Sequence, residues 1–194
     1  MIRPHFQKKL YAFTKSKHTA VERVFNFKEG INPHNSSLFH STMLAARTYC
    51  APHLENLESV FGIQTYNQLL LQELSKDYSK KNKAHFLDNT LTTVMSNLND
   101  PTNFNEQLGI FYVMAGSSAG AKILLNHAKV QNINAPFYYL NHLVATSKSQ
   151  MTQLHDLITT QSYQEEKVLH AATAAFDLIY KIASYGFTET SSKH

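Results

Sequence analysis

The chain has 194 residues, 43% of them hydrophobic, which fits one domain with a sizeable core. Its single cysteine, Cys50, excludes a disulfide framework and any multi-cysteine zinc site. The 18 Lys and Arg against 14 Asp and Glu give a net charge of +4, which suits an anionic small molecule or an acidic partner, and their scatter along the chain argues against nucleic acid.

The start, "MIRPHFQKKLYAF", has no apolar stretch of the leader type, and no uninterrupted apolar run approaches the roughly 18 residues of a membrane span. A cytoplasmic protein without a membrane anchor is expected. Apolar residues recur at helical spacing nearly everywhere. The first helix is predicted from Pro4, a good first-turn residue, to about Phe25. "FKEGINPHN" then breaks the chain at Gly30 and Pro33. The second helix is placed over 37–60, with Pro52 as a kink or boundary, the third over 64–79 and the fourth over 84–97. "SKKNK" at 79–83 reads as a solvated loop. "NDPTN" at 99–103 is a turn and N-cap cluster that opens a long apolar helix over 104–130. Helices over 137–144, 148–160 and 163–185 follow, with a frayed polar tail at 188–194. No period-2 alternation persists, so an all-α, single-domain bundle over residues 1–194 is expected.

Three of the six glycines, Gly109, Gly116 and Gly120, fall in that long helix, the last two within "MAGSSAGAKILL" at 114–125. Glycine costs about 1 kcal/mol relative to alanine inside a helix, so each calls for a reason. Gly116 and Gly120 share one face, and Gly109, two turns before Gly116, extends it. One reading is a close helix–helix contact. Another is a flat ligand lying across the bare backbone, with Ser117 and Ser118 adding hydroxyls. A phosphate loop is set aside, because the spacing fits neither nucleotide-binding pattern and no strand precedes it.

In the first helix, "LYAFTKSKHTAVE" (10–22) puts Thr14, His18 and Glu22 on one stripe. A carboxylate four residues after a histidine can accept its ring N–H and orient the imidazole, as metal-ligating histidines usually require. Taken alone, His18 also fits a plain boundary histidine in a chain that has eleven. Tyr112, four residues before Gly116, either reaches the same region or is a half-buried tyrosine with its hydroxyl at the edge. No HxH, HExxH or paired Glu-x-x-His pattern occurs, "EEKVLH" at 165–170 included, and the aromatic "FYYLNH" at 137–142 reads as core.

Taken together, "LxxxTxxxHxxxE" near the N-terminus, "YVMAGSSAGA" in mid-chain and "AATAAF" in the last helix resemble the heme oxygenases of the compact bacterial, biliverdin-producing type. The resemblance covers most of the chain in the right order. It implies heme between a proximal first helix and a distal glycine-bearing helix. His18 would be the axial iron ligand, oriented by Glu22, with Thr14 and Tyr112 lining the site. Gly116, Ser117 and Gly120 would bring distal backbone and a hydroxyl close to the heme face. Heme would be both substrate and cofactor, cleaved with O2 to biliverdin, CO and ferrous iron. No flavin or nicotinamide motif is present, so electrons would come from an external ferredoxin, flavodoxin or NADPH-dependent reductase, an acidic donor meeting basic charge.

The pattern also departs from that family. Tyr11 stands where a basic residue usually meets a heme propionate, with Lys15 and Lys17 nearby and Lys148 in a loosely matching region. Ser117 replaces an aspartate found in many members, and Ala121 replaces a further glycine. The alternative readings are a heme carrier or sensor that does not open the ring, and an interaction protein whose glycines only pack helices.

Overall fold

Proline and asparagine, more than glycine, set where the helices begin. The computed structural model describes residues 4–77, 98 and 100–191. Among them are six α-helices and no strand: α1 (Pro4–Phe25), α2 (Pro33–Phe61), α3 (Asn67–Asp77), α4 (Phe104–Val130), α5 (Tyr138–Thr160) and α6 (Glu165–Ser191). The all-α class read from the sequence is therefore observed. A short 3-10 turn, Phe27–Glu29, and Gly30 in the left-handed region at φ 97° separate α1 from α2.

α1 and α4 begin and end where the sequence placed them. α2 starts earlier than expected, because Asn32 and Asn35 cap it reciprocally: each side-chain oxygen accepts the other's backbone N–H at 2.9 Å, with Pro33 at the first helical position. Pro52 neither ends nor bounds α2. The helix tolerates one missing N–H there because Leu44, Cys50, Leu54 and Leu57 form a continuous buried stripe across it.

The two helices expected over 137–144 and 148–160 are one, α5. The polar residues between them bond back into the helix instead of capping a new one: Thr146 Oγ1 donates to His142 O at 2.8 Å, and Gln150 Nε2 donates to Thr146 Oγ1 at 2.8 Å. The N-terminal amides of α5 find their partner in another element. The Asp77 carboxylate accepts from Tyr138 N at 2.9 Å and Tyr139 N at 2.7 Å. α3 starts at Asn67, later than expected, with the last two positions of the expected helix outside the described residues, and α6 runs on to Ser191. The helix expected over 84–97, the loop at 79–83 and the last three residues lie outside the described residues.

α6 is the central spar, packing on α1, α2 and α4, while α5 covers the other side of α4 and α3 bridges α2 and α5. Leu10, Leu54, Leu108, Ile110, Phe111, Leu154, Val168 and Ile182 are among the fully enclosed side chains. α4 is long and apolar enough to cross a membrane by length and composition, contrary to the count of uninterrupted apolar residues, because its aliphatic, aromatic and alanine residues outweigh the glycines and serines that interrupt them. Just over half of that stretch, 56%, is buried in the bundle, as a core helix requires.

Candidate functional site

Three helices run side by side in the same direction. α1 and α6 are pinned in parallel by Lys9–Glu165 at 2.9 Å and Lys17–Asp177 at 2.8 Å, with Phe13 against His170 between them. α4 and α6 are pinned in parallel by Asn105 Oδ1 accepting from Gln164 N at 2.8 Å and by the approach of Gly109 to Val168, Ala171 and Ala172. α1 and α4 then come together where the Tyr112 hydroxyl lies beside Thr14. One helical turn beyond that approach lie His18 on α1 and Gly116 on α4. A second turn brings Glu22 and Gly120.

The glycines divide into two kinds. A Cβ added at Gly109 would lie 2.7 Å from Val168 O, Ala171 Cβ and Ala172 N, so this glycine is required by backbone packing. A Cβ added at Gly116 or Gly120 would meet no described atom within 4 Å. Close packing is thus met at Gly109, which the sequence reading assigns to the open strip, whereas Gly116 and Gly120, the pair read as a helix-packing surface, meet no described atom. At Gly116 and Gly120 the bare strip borders open space among the described residues. The strip continues over exposed Ala119 to Ile123, which is 54% exposed.

On α1, His18 Nδ1 lies 3.6 Å from Glu22 Oε2, within ion-pair reach and beyond hydrogen-bond distance. The His18 side chain is 48% exposed. Phe176 of α6 presents an edge-on contact to its ring, centroids 5.7 Å apart, and is itself buried. Thr14 is buried beside the Tyr112 hydroxyl, with its own hydroxyl donating to Leu10 O at 2.8 Å. Burial raises the Tyr112 hydroxyl above its ordinary pKa; the Thr14 hydrogen bond lowers it and the neighbouring Tyr11 adds to the rise. Tyr112 is thus a half-buried tyrosine at the root of the α1–α4 gap, and its hydroxyl is engaged.

Ser117 donates its hydroxyl to Met114 O at 2.7 Å, back into its own helix. Lys17 is committed to Asp177, whereas Lys15 and Lys148 are exposed. Lys148 lies on α5, a helix that packs on α3 and α4, whereas α1 packs chiefly on α6. Tyr11 is 62% exposed, beside Tyr112. "FYYLNH" is core as expected for Tyr139 and Leu140, which are buried. No group of three metal-ligating side chains occurs among the described residues.

A second constellation was not singled out in the sequence. Arg47 of α2 is wholly buried. Its Nε donates to Tyr139 Oη at 3.0 Å, its Nη1 to Asn67 Oδ1 at 3.1 Å and its Nη2 to Met114 O at 3.2 Å. The signal available was a lone arginine inside the apolar run "MLAARTYC", since Arg is almost never fully buried without a partner. Cys50, one turn further along α2, is a packing residue. Burial pushes its thiol up to about 12, against the opposing pull of the Arg47 charge.

Comparison with protein families, with curated proteins and with solved structures finds no match for this chain.

Proposed function

We propose that the chain is a heme oxygenase: it binds heme between α1 and α4 and opens the ring with O2 to biliverdin, CO and ferrous iron, using electrons from a separate reductase, ferredoxin or flavodoxin-type protein. The observation that carries the reading is the pairing of a half-exposed His18, with Glu22 3.6 Å from its Nδ1, and a bare backbone strip at Gly116 and Gly120, one and two turns beyond the approach of Tyr112 to Thr14. The resemblance of "LxxxTxxxHxxxE", "YVMAGSSAGA" and "AATAAF" to that family assigns the chemistry.

The residues present fit a flat, mostly apolar macrocycle. Phe176 and Thr14 supply an apolar and satisfied wall, and no side chain projects from positions 116 and 120. Bound there, heme supplies the iron and the ring that is oxidised. His18 would hold the iron through Nε2, with Glu22 fixing the tautomer through Nδ1. Gly116 and Gly120 would let backbone approach the opposite face, where a bulkier residue would keep it away. Ser117 would offer a hydroxyl already oriented by Met114 O, able to accept a hydrogen bond from water and order a proton path. Of the two lysines closest to His18 on α1, Lys15 would be left to meet a propionate in place of Tyr11, since Lys17 is held by Asp177.

The test is an absorption time course. One equivalent of hemin is added to the purified protein, then ascorbate or a ferredoxin–reductase system in air with catalase present. Loss of the Soret band with growth of a broad red bilin band supports ring opening. A Soret band that forms and persists with every donor turns the assignment to a heme carrier or sensor. No spectral change on adding hemin removes the heme reading altogether.

A further inference from the structure

We infer that Arg47 is a positioning residue for the glycine strip: from inside the core it holds the Met114 carbonyl and so sets the local path of α4 through Met114–Ser118. The inference rests on the proposed heme site for its functional meaning, and on the Arg47 geometry for its structural meaning.

A buried guanidinium is costly, and an apolar side chain of similar volume often serves a core as well or better. A demand for donors at this place explains Arg47. Its planar fork reaches three acceptors on three different elements: Tyr139 on α5, Asn67 on α3 and Met114 on α4. Two of these anchors are themselves fixed. Tyr139 is tied at its backbone N–H to Asp77, and Asn67 Nδ2 returns a bond to Arg47 O at 3.4 Å. The guanidinium therefore sits on a rigid frame, and the third donor projects from that frame to α4.

Met114 O is the acceptor that Ser118 N–H would use in a regular helix. Here it also takes Arg47 Nη2 at 3.2 Å and Ser117 Oγ at 2.7 Å. Extra donors on one helical carbonyl draw it off the helix axis and bend the helix locally. Gly116 lies within the turn closed on that carbonyl. Met114 faces the core and Gly116 is exposed, so the Arg47 contact lies behind the strip. Tension on Met114 O moves the strip as a unit, whereas the first half of α4 is locked separately through Gly109 against α6.

The test compares Arg47→Met with wild type in the full chain. Hydrogen exchange is read by mass spectrometry on the heme-free protein. The amides of 115–121 should exchange about tenfold faster in the variant, while 105–112 stay unchanged. Tyr139→Phe, which keeps the charge and the core volume but removes one anchor, should accelerate 115–121 by a smaller factor. It provides the measurement if Arg47→Met does not fold. With hemin and electron donor, Arg47→Met should shift the ratio of biliverdin isomers while keeping a His-ligated Soret band. Unchanged exchange at 115–121 in the folded variants overturns the inference. Equal acceleration along the whole of α4 also overturns it, because Arg47 would then be ordinary core. If wild type binds no hemin, the heme reading fails by itself and the exchange pattern still decides the role of Arg47.

Discussion

Gly109 and Gly116 lie two turns apart on the same face of α4, and they meet opposite surroundings. A Cβ at Gly109 would strike the Val168 carbonyl at 2.7 Å, and a Cβ at Gly116 would meet nothing described within 4 Å. The two Gly→Ala substitutions should therefore have opposite signs. Gly109→Ala forces α4 and α6 apart and should destabilise by about 1–3 kcal/mol. Gly116→Ala gains helix propensity without a clash and should stabilise the heme-free protein by about 0.5–1 kcal/mol. Urea midpoints of the two variants check this directly; a neutral Gly109→Ala would mean that the α4–α6 approach is not as close as described. Gly116→Leu should leave the fold intact and block hemin uptake.

His18 and Glu22 are both about half exposed, so their substitution should barely affect folding, within about 0.5 kcal/mol. Their effect should appear only with hemin. His18→Ala should lose the His-ligated Soret spectrum and abolish ring opening at ordinary reductant levels. Glu22→Gln should keep a Soret band but shift it, because an amide orients the imidazole without the carboxylate's charge. A native spectrum and full turnover in His18→Ala would remove His18 as the ligand.

The helix pattern is largely legible in the sequence: α1 carries clean period-3.6 apolar spacing, whereas α4, apolar on nearly every side, is legible from its length and the turn cluster that opens it. The start of α2 and the continuity of α5 are less so. The Asn32–Asn35 box replaces the more familiar Ser/Thr-Glu pair, and Thr146 satisfies itself within its own helix. The stripe of Thr14, His18 and Glu22 was readable because it lies within one helix. Which glycine packs and which is bare was not, because Gly109 and Gly116 differ only in what α6 does beside them. Arg47 was missed for the same reason: Tyr139 is 92 residues away and Met114 67 residues away, and spacing along a helix says nothing about such partners.

Cys50 should be chemically silent in the native protein. Burial holds the thiol well above the ordinary range, at about 12, so almost no thiolate forms near neutrality. Iodoacetamide at pH 8 should label the folded protein far more slowly than the urea-unfolded chain. Labelling of both at the same rate would show that α2 opens locally around Cys50.

Stability should fall as the pH drops below about 6.5, the ordinary histidine value. His40 and His53 are both pushed below that value, in each case chiefly by burial. Nearby carboxylates oppose the shift, Asp77 beside His40 and Glu106 with Asp100 beside His53. The backbone oxygen of Ser36 also bonds His40 Nδ1 at 2.7 Å. A histidine whose pKa is depressed in the folded state takes up its proton more readily when unfolded. Over the window between the two values the unfolded chain binds more protons, so stability rises with pH there and falls with acid. Among the described residues, the partners facing His40 Nε2 and His53 Nε2 are the Asp77 and Glu106 carboxylates, at 3.6 and 3.5 Å. Melting temperatures from pH 7.5 to pH 5.0 should therefore decline in wild type. The decline should be shallower in His40→Gln and His53→Gln, and shallowest in the double variant. A melting temperature that rose toward pH 5.0 would mean that Asp77 and Glu106 outweigh burial, with both histidines charged in the fold.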